Sequence, residues 1–321
     1  MLNIADFKKK QIIFVFTNEG DKLSFKNDNV VVMDKNKKIK YQSTCYRLFL
    51  VGIVGNVSIT SGLIQRANKF GFGICLMNQS LRTYEYVGCC IDGNTLLKKC
   101  QYEYNGNEIG QHIIKNKIEN QRNVLIKQRS KTDDVKEAVN KLNTYIDKLS
   151  GSILEYREIM GLEGSASRVY FPCVFNNVAW HGRKPRIKSD YINSILDIGY
   201  TILFNFVDAL LNIYGFDTYY GVFHKCFYMR KSLVCDIMEV FRPVIDYQIR
   251  KSINLGQFKM EHFRNENKRW VLDWKYNPEY VTIFITALLE YKEEMFMYIQ
   301  AYYRSFMRKK EIEQYPEFII K

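Results

Sequence analysis

Residues 221–243 read GVFHKCFYMRKSLVCDIMEVFRP, and they decide how the second half of the chain is built. From Leu233 onward, Leu233, Val234, Ile237, Met238, Val240 and Phe241 recur with a helical period. Pro243 is where such a helix should be kinked or interrupted, with Arg242 at the bend. Asp236 and Glu239 stand three apart and so share one face. His224 lies one loop earlier, and Lys225, Arg230, Lys231 and Arg242 supply positive charge around them. Carboxylates with an imidazole amid cations suit a hard divalent ion and a phosphate group. A solvated helix face also carries acids at this spacing. The interleaved apolar residues argue instead for a mostly buried helix, where acids are rare unless paired or metal-bound.

Outward from this stretch, the helical period covers everything from about Glu108. Val135, Val139, Leu142, Ile146 and Leu149 form an amphipathic stripe, with Thr132 or Asp133 to cap its start and Gly151 to stop it. Residues 191–214, 233–253 and 280–307 continue the pattern. The first hundred residues read differently. QIIFVFT at 11–17, the short runs LSF, NVVVM and IKY, and apolar segments at 48–54 and 73–77 are strands punctuated by polar turns. One helix is expected near residues 61–70. The fold expected is α+β: an N-terminal β-sandwich-like domain over 1–95, a linker over 96–107, and an all-α C-terminal domain over 108–321.

The chain has 321 residues and is 47% hydrophobic, enough for a real core. Its net charge is +13, of which the first hundred residues carry +8. A balance this basic points to a polyanion, nucleic acid first. None of the eight cysteines forms a CxxC pair, and no His stands at zinc-finger spacing from two of them. Cys173, Cys226 and Cys235 sit in apolar runs, as reduced core thiols do. The start shows no signal-peptide pattern, and apolar runs such as 280–289 are too short to span a bilayer. The expectation is a soluble protein of a reducing cytoplasm with no membrane partner. No GxxxxGK[ST] motif is present.

A third acid, Glu163, lies in GLEG between Gly161 and Gly164; taken alone it reads as a loop carboxylate. Set in order, MGLEGSASRVYF at 160–171, RKPRIKSDYINSILDIGYTILFN at 183–205, YGFDTYYGVFHK at 214–225 and DIMEVFRPVIDYQI at 236–249 form a recognisable series. KIENQRNVL at 117–125 precedes them. Together they resemble the CRISPR-associated spacer-acquisition integrase family, "Cas one". WVLDWKYNPEY at 270–280 looks most like members found beside single-protein effectors of the type V kind.

The resemblance implies that the helical domain is catalytic, with Glu163, His224 and Glu239 holding Mg²⁺ or Mn²⁺. It makes Asp236 a residue that orients a ligand. Arg168, Tyr170, Lys225, Arg230 and Arg242 become candidates for DNA or phosphate contact; Arg183 and Asn193 fit either packing or DNA contact. It further implies insertion of short foreign DNA into a CRISPR array, by attack of a 3′-hydroxyl on a phosphodiester at the leader–repeat. The implied partners are double-stranded DNA, a second copy of the chain, and a small "Cas two" protein. Residues 280–307 are either a docking surface or core helices. A non-catalytic DNA-binding assembly subunit and a repair nuclease acting on branched DNA are the alternatives.

Overall fold

The computed structural model describes every residue except 1, 2, 89, 90, 92, 130, 179, 181, 185 and 186, so Cys89 and Cys90 lie outside the described residues. A short helix α1 (Ile4–Lys8) precedes strands β1 (Gln11–Phe16), β2 (Lys22–Lys26), β3 (Asn29–Met33), β4 (Ile39–Thr44), β5 (Leu48–Val54) and β6 (Ser58–Ile59). Helix α2 (Ser61–Phe70) then leads to β7 (Gly73–Met77) and β8 (Thr83–Gly88). Two four-stranded sheets result, in the orders β1-β5-β7-β8 and β4-β3-β2-β6. In the first, β1 and β7 run parallel to β5, with α2 on the crossover, and β8 closes antiparallel to β7.

Strand β5, LFLVGIV, explains how the halves join. All seven residues are buried, as expected of a parallel strand covered on both faces. Leu48, Val51 and Ile53 enter a core shared with the second sheet and α2, through Leu23, Val30, Val32 and Leu63. Phe49, Leu50 and Val54 enter the much larger core of the helices. A register irregularity opposite Gln11/Ile12 breaks the alternation at Phe49.

The helices are α3 (Thr95–Glu103), α4 (Glu108–Ile126), α5 (Asp133–Leu149), α6 (Tyr156–Val174), α7 (Tyr191–Asn212), α8 (Ser232–Glu239), α9 (Arg242–Asn254), α10 (Asn277–Glu290) and α11 (Lys292–Met307). Helix α3 occupies most of the stretch read as a linker. The predicted interruption at Pro243 is present: α8 ends at Glu239, and Pro243 sits in the first turn of α9, where a missing N–H costs nothing. The run 280–307 is broken at Tyr291 into α10 and α11. Both bury their apolar faces in the helical core, through Val281, Phe284, Met295, Phe296 and Ile299.

Two expectations are corrected here. The C-terminal half is mostly helical rather than all-α, because β9 (Phe263–Glu266) and β10 (Arg269–Leu272) form a hairpin. It is anchored to the start of α7 by the Trp270 N–H to Lys188 O and by the Ser194 hydroxyl to Trp270 O, at 2.9 and 2.5 Å. Helix α7, at 22 residues, is long and apolar enough to cross a membrane, but 83% of its apolar window is buried inside the protein, which makes it the core helix.

Helix α4 crosses this core with an unusual load of buried polar groups: Gln111, Asn116, Lys117, Asn120 and Gln121. Two of them receive the C-terminal segment. Asn116 Oδ1 accepts from Phe318 N–H at 2.8 Å and Asn120 Oδ1 from Ile320 N–H at 2.9 Å, while both side-chain amides donate to Phe318 O. Asn120 also donates to Val240 O at 3.3 Å, one residue beyond Glu239. These bonds satisfy groups that burial would otherwise penalise, and they fix the height of Lys117 between the two asparagines.

Candidate active site

Helix α6 starts with a capping box, in which Glu155 and Glu158 satisfy each other's backbone N–H groups. It carries Glu163 two turns in. GLEG is therefore helical rather than a loop, which corrects the reading of Glu163 as a loop carboxylate. Gly161 and Gly164 have open space where a Cβ would sit, so they leave the wall beside Glu163 low. Helix α8 carries Asp236 and Glu239, both buried.

Asp236 is the most heavily bonded acid of the region. Its Oδ2 accepts from Val222 and Phe223 N–H at 2.7 and 3.0 Å, and its Oδ1 from His224 N–H at 2.8 Å. Oδ1 also lies 2.6 Å from His224 Nδ1. The 221–224 segment is thus wrapped around one carboxylate, and the imidazole is held by Nδ1, which leaves Nε2 as its ligating or proton-carrying nitrogen. Gly221 is required for that wrap: a Cβ there would stand 2.6 Å from Asp236 Oδ2 and 2.9 Å from Ser232 Cβ.

Lys117, which residue-by-residue reading did not single out, stands at the centre. Its Nζ is 2.5 Å from Glu163 Oε1 and 2.7 Å from Glu239 Oε2, and the lysine is buried. Ser167 donates to Glu163 Oε1 at 3.2 Å. Arg242 Nη1 lies 2.9 Å from Glu239 Oε1. Burial pushes the Glu239 carboxyl up, but Arg242 and Lys117 outweigh it and hold it at about 2. Burial pulls the Lys117 ammonium down, and Glu239 and Glu163 raise it above its ordinary value. Asp246, which lines the same cleft, accepts from the Tyr200 and Tyr170 hydroxyls at 2.6 and 3.2 Å; burial raises its carboxyl to about 6.

Glu163, His224, Glu239, Lys117, Arg242, Arg168 and Arg230 all line one open cleft of ≈ 1460 Å³. Among the described residues, no three His, Cys, Asp or Glu side chains are already drawn in around a common metal position; the Lys117 ammonium stands between two of them. The donor set nonetheless fits a hard cation. A positive charge already bridges Glu163 and Glu239, and Glu239 Oε2, buried, has ion contact but no aligned hydrogen bond.

The proposed contact residues divide. Arg168 is exposed one turn beyond Gly164, its guanidinium reaching Gly164 O and Ser165 Oγ at 3.4 Å. Lys225 is exposed, its ammonium over the Tyr156 ring. Arg230 lines the cleft. Arg242 is engaged as Glu239's partner. Tyr170 is corrected: it is fully buried with its hydroxyl on Asp246, so no DNA reaches it. Asn193 is buried too, bonded to Lys184 N–H, Gly182 O and Arg183, and Arg183 pairs with Asp197 at 2.8 Å. Cys173 is buried as expected, but Cys226 is exposed. KIENQRNVL held the one signal for Lys117: a lysine inside an otherwise core-facing helical run.

An acid pair gathered on a cation, with an imidazole fixed by a buried acid at the rim of a basic cleft, is the equipment of an enzyme that exchanges phosphodiesters. The fold carries it on a helical body behind an N-terminal strand region. The family profile described as CRISPR associated protein Cas1 matches residues 14–286, and the chain belongs to that family. A CRISPR-associated endonuclease Cas1 of Thermodesulfovibrio yellowstonii is 27% identical over 221 residues, 64% of this chain and 70% of that protein. A chain of the Cas6-RT-Cas1–Cas2 complex matches 97% of this chain with TM-score 0.80 at 22% identity; this chain spans 36% of that longer one. A casposase bound to integration product matches with TM-score 0.77 at 19% identity, covering 95% of this chain and 94% of that one. The two structural likenesses are likenesses of fold.

Proposed function

We propose that this chain is a metal-dependent DNA endonuclease and integrase of CRISPR adaptation, with Glu163, His224 and Glu239 as the ligands of Mg²⁺ or Mn²⁺. The observation that carries this reading is the pinning of His224 Nδ1 on buried Asp236, at the rim of a cleft where Glu163 and Glu239 converge on one cation. Two carboxylates favour Mg²⁺; the imidazole makes Mn²⁺ a good activator. The bound ion supplies Lewis-acid polarisation of a phosphoryl oxygen.

The remaining work falls to the chain. A 3′-hydroxyl oxygen attacks a target phosphorus, the P–O bond to the displaced strand end breaks, and one phosphodiester replaces another. No nucleotide triphosphate is consumed. Asp236 keeps the imidazole oriented through the reaction. Lys117 and Arg242 balance the charge of Glu163 and Glu239 before loading. Arg168, Lys225 and Arg230 hold the phosphate backbone along the cleft, an affinity that should fall steeply with salt. Water in place of the hydroxyl gives strand cleavage at the same site. The casposase neighbour's integration product and the Cas2 of the other neighbour support DNA ends and a small Cas2 partner as ligands. A homodimer completes the proposal, giving one site per DNA end.

Strand transfer tests it. A labelled short duplex is incubated with supercoiled plasmid carrying a leader and repeat, in Mn²⁺ or Mg²⁺, with and without the Cas2 partner. The expected result is label joined to plasmid by the wild type and lost in Glu163→Ala, His224→Ala and Glu239→Ala. DNA bound with no joining or cutting under any of these conditions would move the reading to a non-catalytic assembly subunit. Cutting of branched DNA without joining would move it to a repair nuclease.

A further inference from the structure

Helix α4 buries Gln111, Asn116, Lys117, Asn120 and Gln121. The first four are satisfied. Gln111 bonds the backbone between α5 and α6, Asn116 and Asn120 hold the C-terminal segment, and Lys117 holds two acids. Gln121 is the exception. It is 1% exposed, and among the described residues its Oε1 accepts no hydrogen bond. An orphaned buried acceptor costs about 1–3 kcal/mol, a cost that a donor from outside the chain would offset.

Its place says which donor. Ile114, Lys117 and Gln121 form the face of α4 that lines the catalytic cleft. Lys117 meets Glu163, and further along Gln128 Nε2 donates to Cys173 O at 3.1 Å, so α4 and α6 run parallel. Gln121 is then level with Ser167, whose hydroxyl donates to Glu163. Its neighbour Asn120 is tied to Val240 O, next to Glu239. The carboxamide therefore stands one turn from the point where Glu163 and Glu239 converge, without bonding the Lys117 ammonium there. A hard cation gathered by those two acids keeps water ligands on its free sides, Mg²⁺ above all. Water donates, and a carboxamide oxygen accepts.

We propose that Gln121 Oε1 accepts a hydrogen bond from a water ligand of the divalent ion and so fixes the ion between Glu163 and Glu239. Gln121 is a positioning residue: it acts on the ion through that water and touches no DNA. This rests on the metal-dependent reading above and adds to its three ligands a group that orients the ion's hydration.

The test is ion binding, not turnover. Mn²⁺ is titrated into the DNA-free full chain, and free Mn²⁺ is followed by its electron paramagnetic resonance signal. Glu163→Ala defines the site. Gln121→Met keeps the length and removes the acceptor; it should bind Mn²⁺ there about 10–100-fold more weakly. Gln121→Glu, which keeps an acceptor, should bind at least as tightly as the wild type. Denaturant unfolding in EDTA is the second readout. Gln121→Met should be as stable as the wild type or more so, because it removes an orphaned polar group. Wild-type affinity in Gln121→Met, or an equal loss in Gln121→Glu, overturns the proposal and leaves the metal reading standing. A loss of stability in metal-free Gln121→Met would make the glutamine part of the fold and also overturn it. A wild type that binds no Mn²⁺, or a Glu163→Ala variant that binds it as tightly, sinks the metal reading as well.

Discussion

Glu239 and Asp246 are both buried carboxylates on the α8–α9 segment, yet they are driven in opposite directions. Glu239 faces the cleft and is clamped by Lys117 and Arg242, which hold it at about 2. Asp246 lines the same cleft but has two phenol donors and, among the described residues, no salt-bridge partner, so burial raises it to about 6. Burial sets the size of what is at stake; the neighbours decide its sign. Within one cleft, the cations beside Glu239 keep that acid ionised, while the phenols around Asp246 leave it able to hold a proton.

The largest effect on this contrast should come from Lys117. Replacing it by Met leaves Glu239 and Glu163 without their shared cation, and breaking a buried pair this way costs about 3–5 kcal/mol. Denaturant unfolding at neutral pH measures it; a loss below about 1 kcal/mol would mean that the clamp is not formed in solution.

Next, the two acids should act in adjacent pH windows with opposite slopes. Glu239 is depressed from 4.5 to about 2, so its stabilisation is complete above 4.5 and is lost as pH falls through about 2. Asp246 is raised from 3.8 to about 6, so its contribution is complete below 3.8 and is lost as pH rises through about 6. Each is worth about 3 kcal/mol at 1.4 kcal/mol per pKa unit. Unfolding free energies over pH 2–7 should show Glu239→Gln flattening only the lower limb and Asp246→Asn only the upper one. Both variants flattening the same limb would break the comparison.

Gly221→Ala probes the same cleft from the loop side. The added methyl would crowd Asp236 Oδ2, the His224 carbonyl and Ser232 Cβ together, which should cost about 1–3 kcal/mol. It should also alter the His224 ring-nitrogen shifts in NMR; unchanged shifts would detach His224 from Asp236. The smallest effect, and the control, is Gly161→Ala on the helix of Glu163. It fills open space and removes a helix glycine, so stability should rise by about 0.5–1 kcal/mol without moving either titration.

Residue by residue, only the Asp236, Glu239 and His224 cluster was legible as a candidate, and Glu163 joined it through the family resemblance. The acids of DIMEVF were expected to be buried because apolar residues surround them, and Pro243 to kink or interrupt the helix near Arg242. Lys117 was not legible, because a buried lysine is visible only through partners 46 and 122 positions away. Tyr170 misled because a tyrosine two residues after an exposed arginine looks like surface in sequence, whereas on a helix two residues turn it about 200° away. The α10–α11 break was missed because apolar residues keep a helical period on both sides of Tyr291, and the β9–β10 hairpin because its four-residue strands, lying between the runs 233–253 and 280–307, are too short to carry a pattern of their own.

Sequence alone determined the order of strands before helices, the interruption at Pro243 and the basic charge, since periodicity, proline and side-chain chemistry are local properties; the set Glu163, His224 and Glu239 came from the family resemblance. Only the tertiary structure decided that a parallel strand would belong to two cores at once and that one lysine would gather acids from two helices. It also decided that, of two buried carboxylates seven residues apart, one would stay charged and the other would be raised toward neutrality, because each of these depends on which distant groups folding brings within a few ångströms.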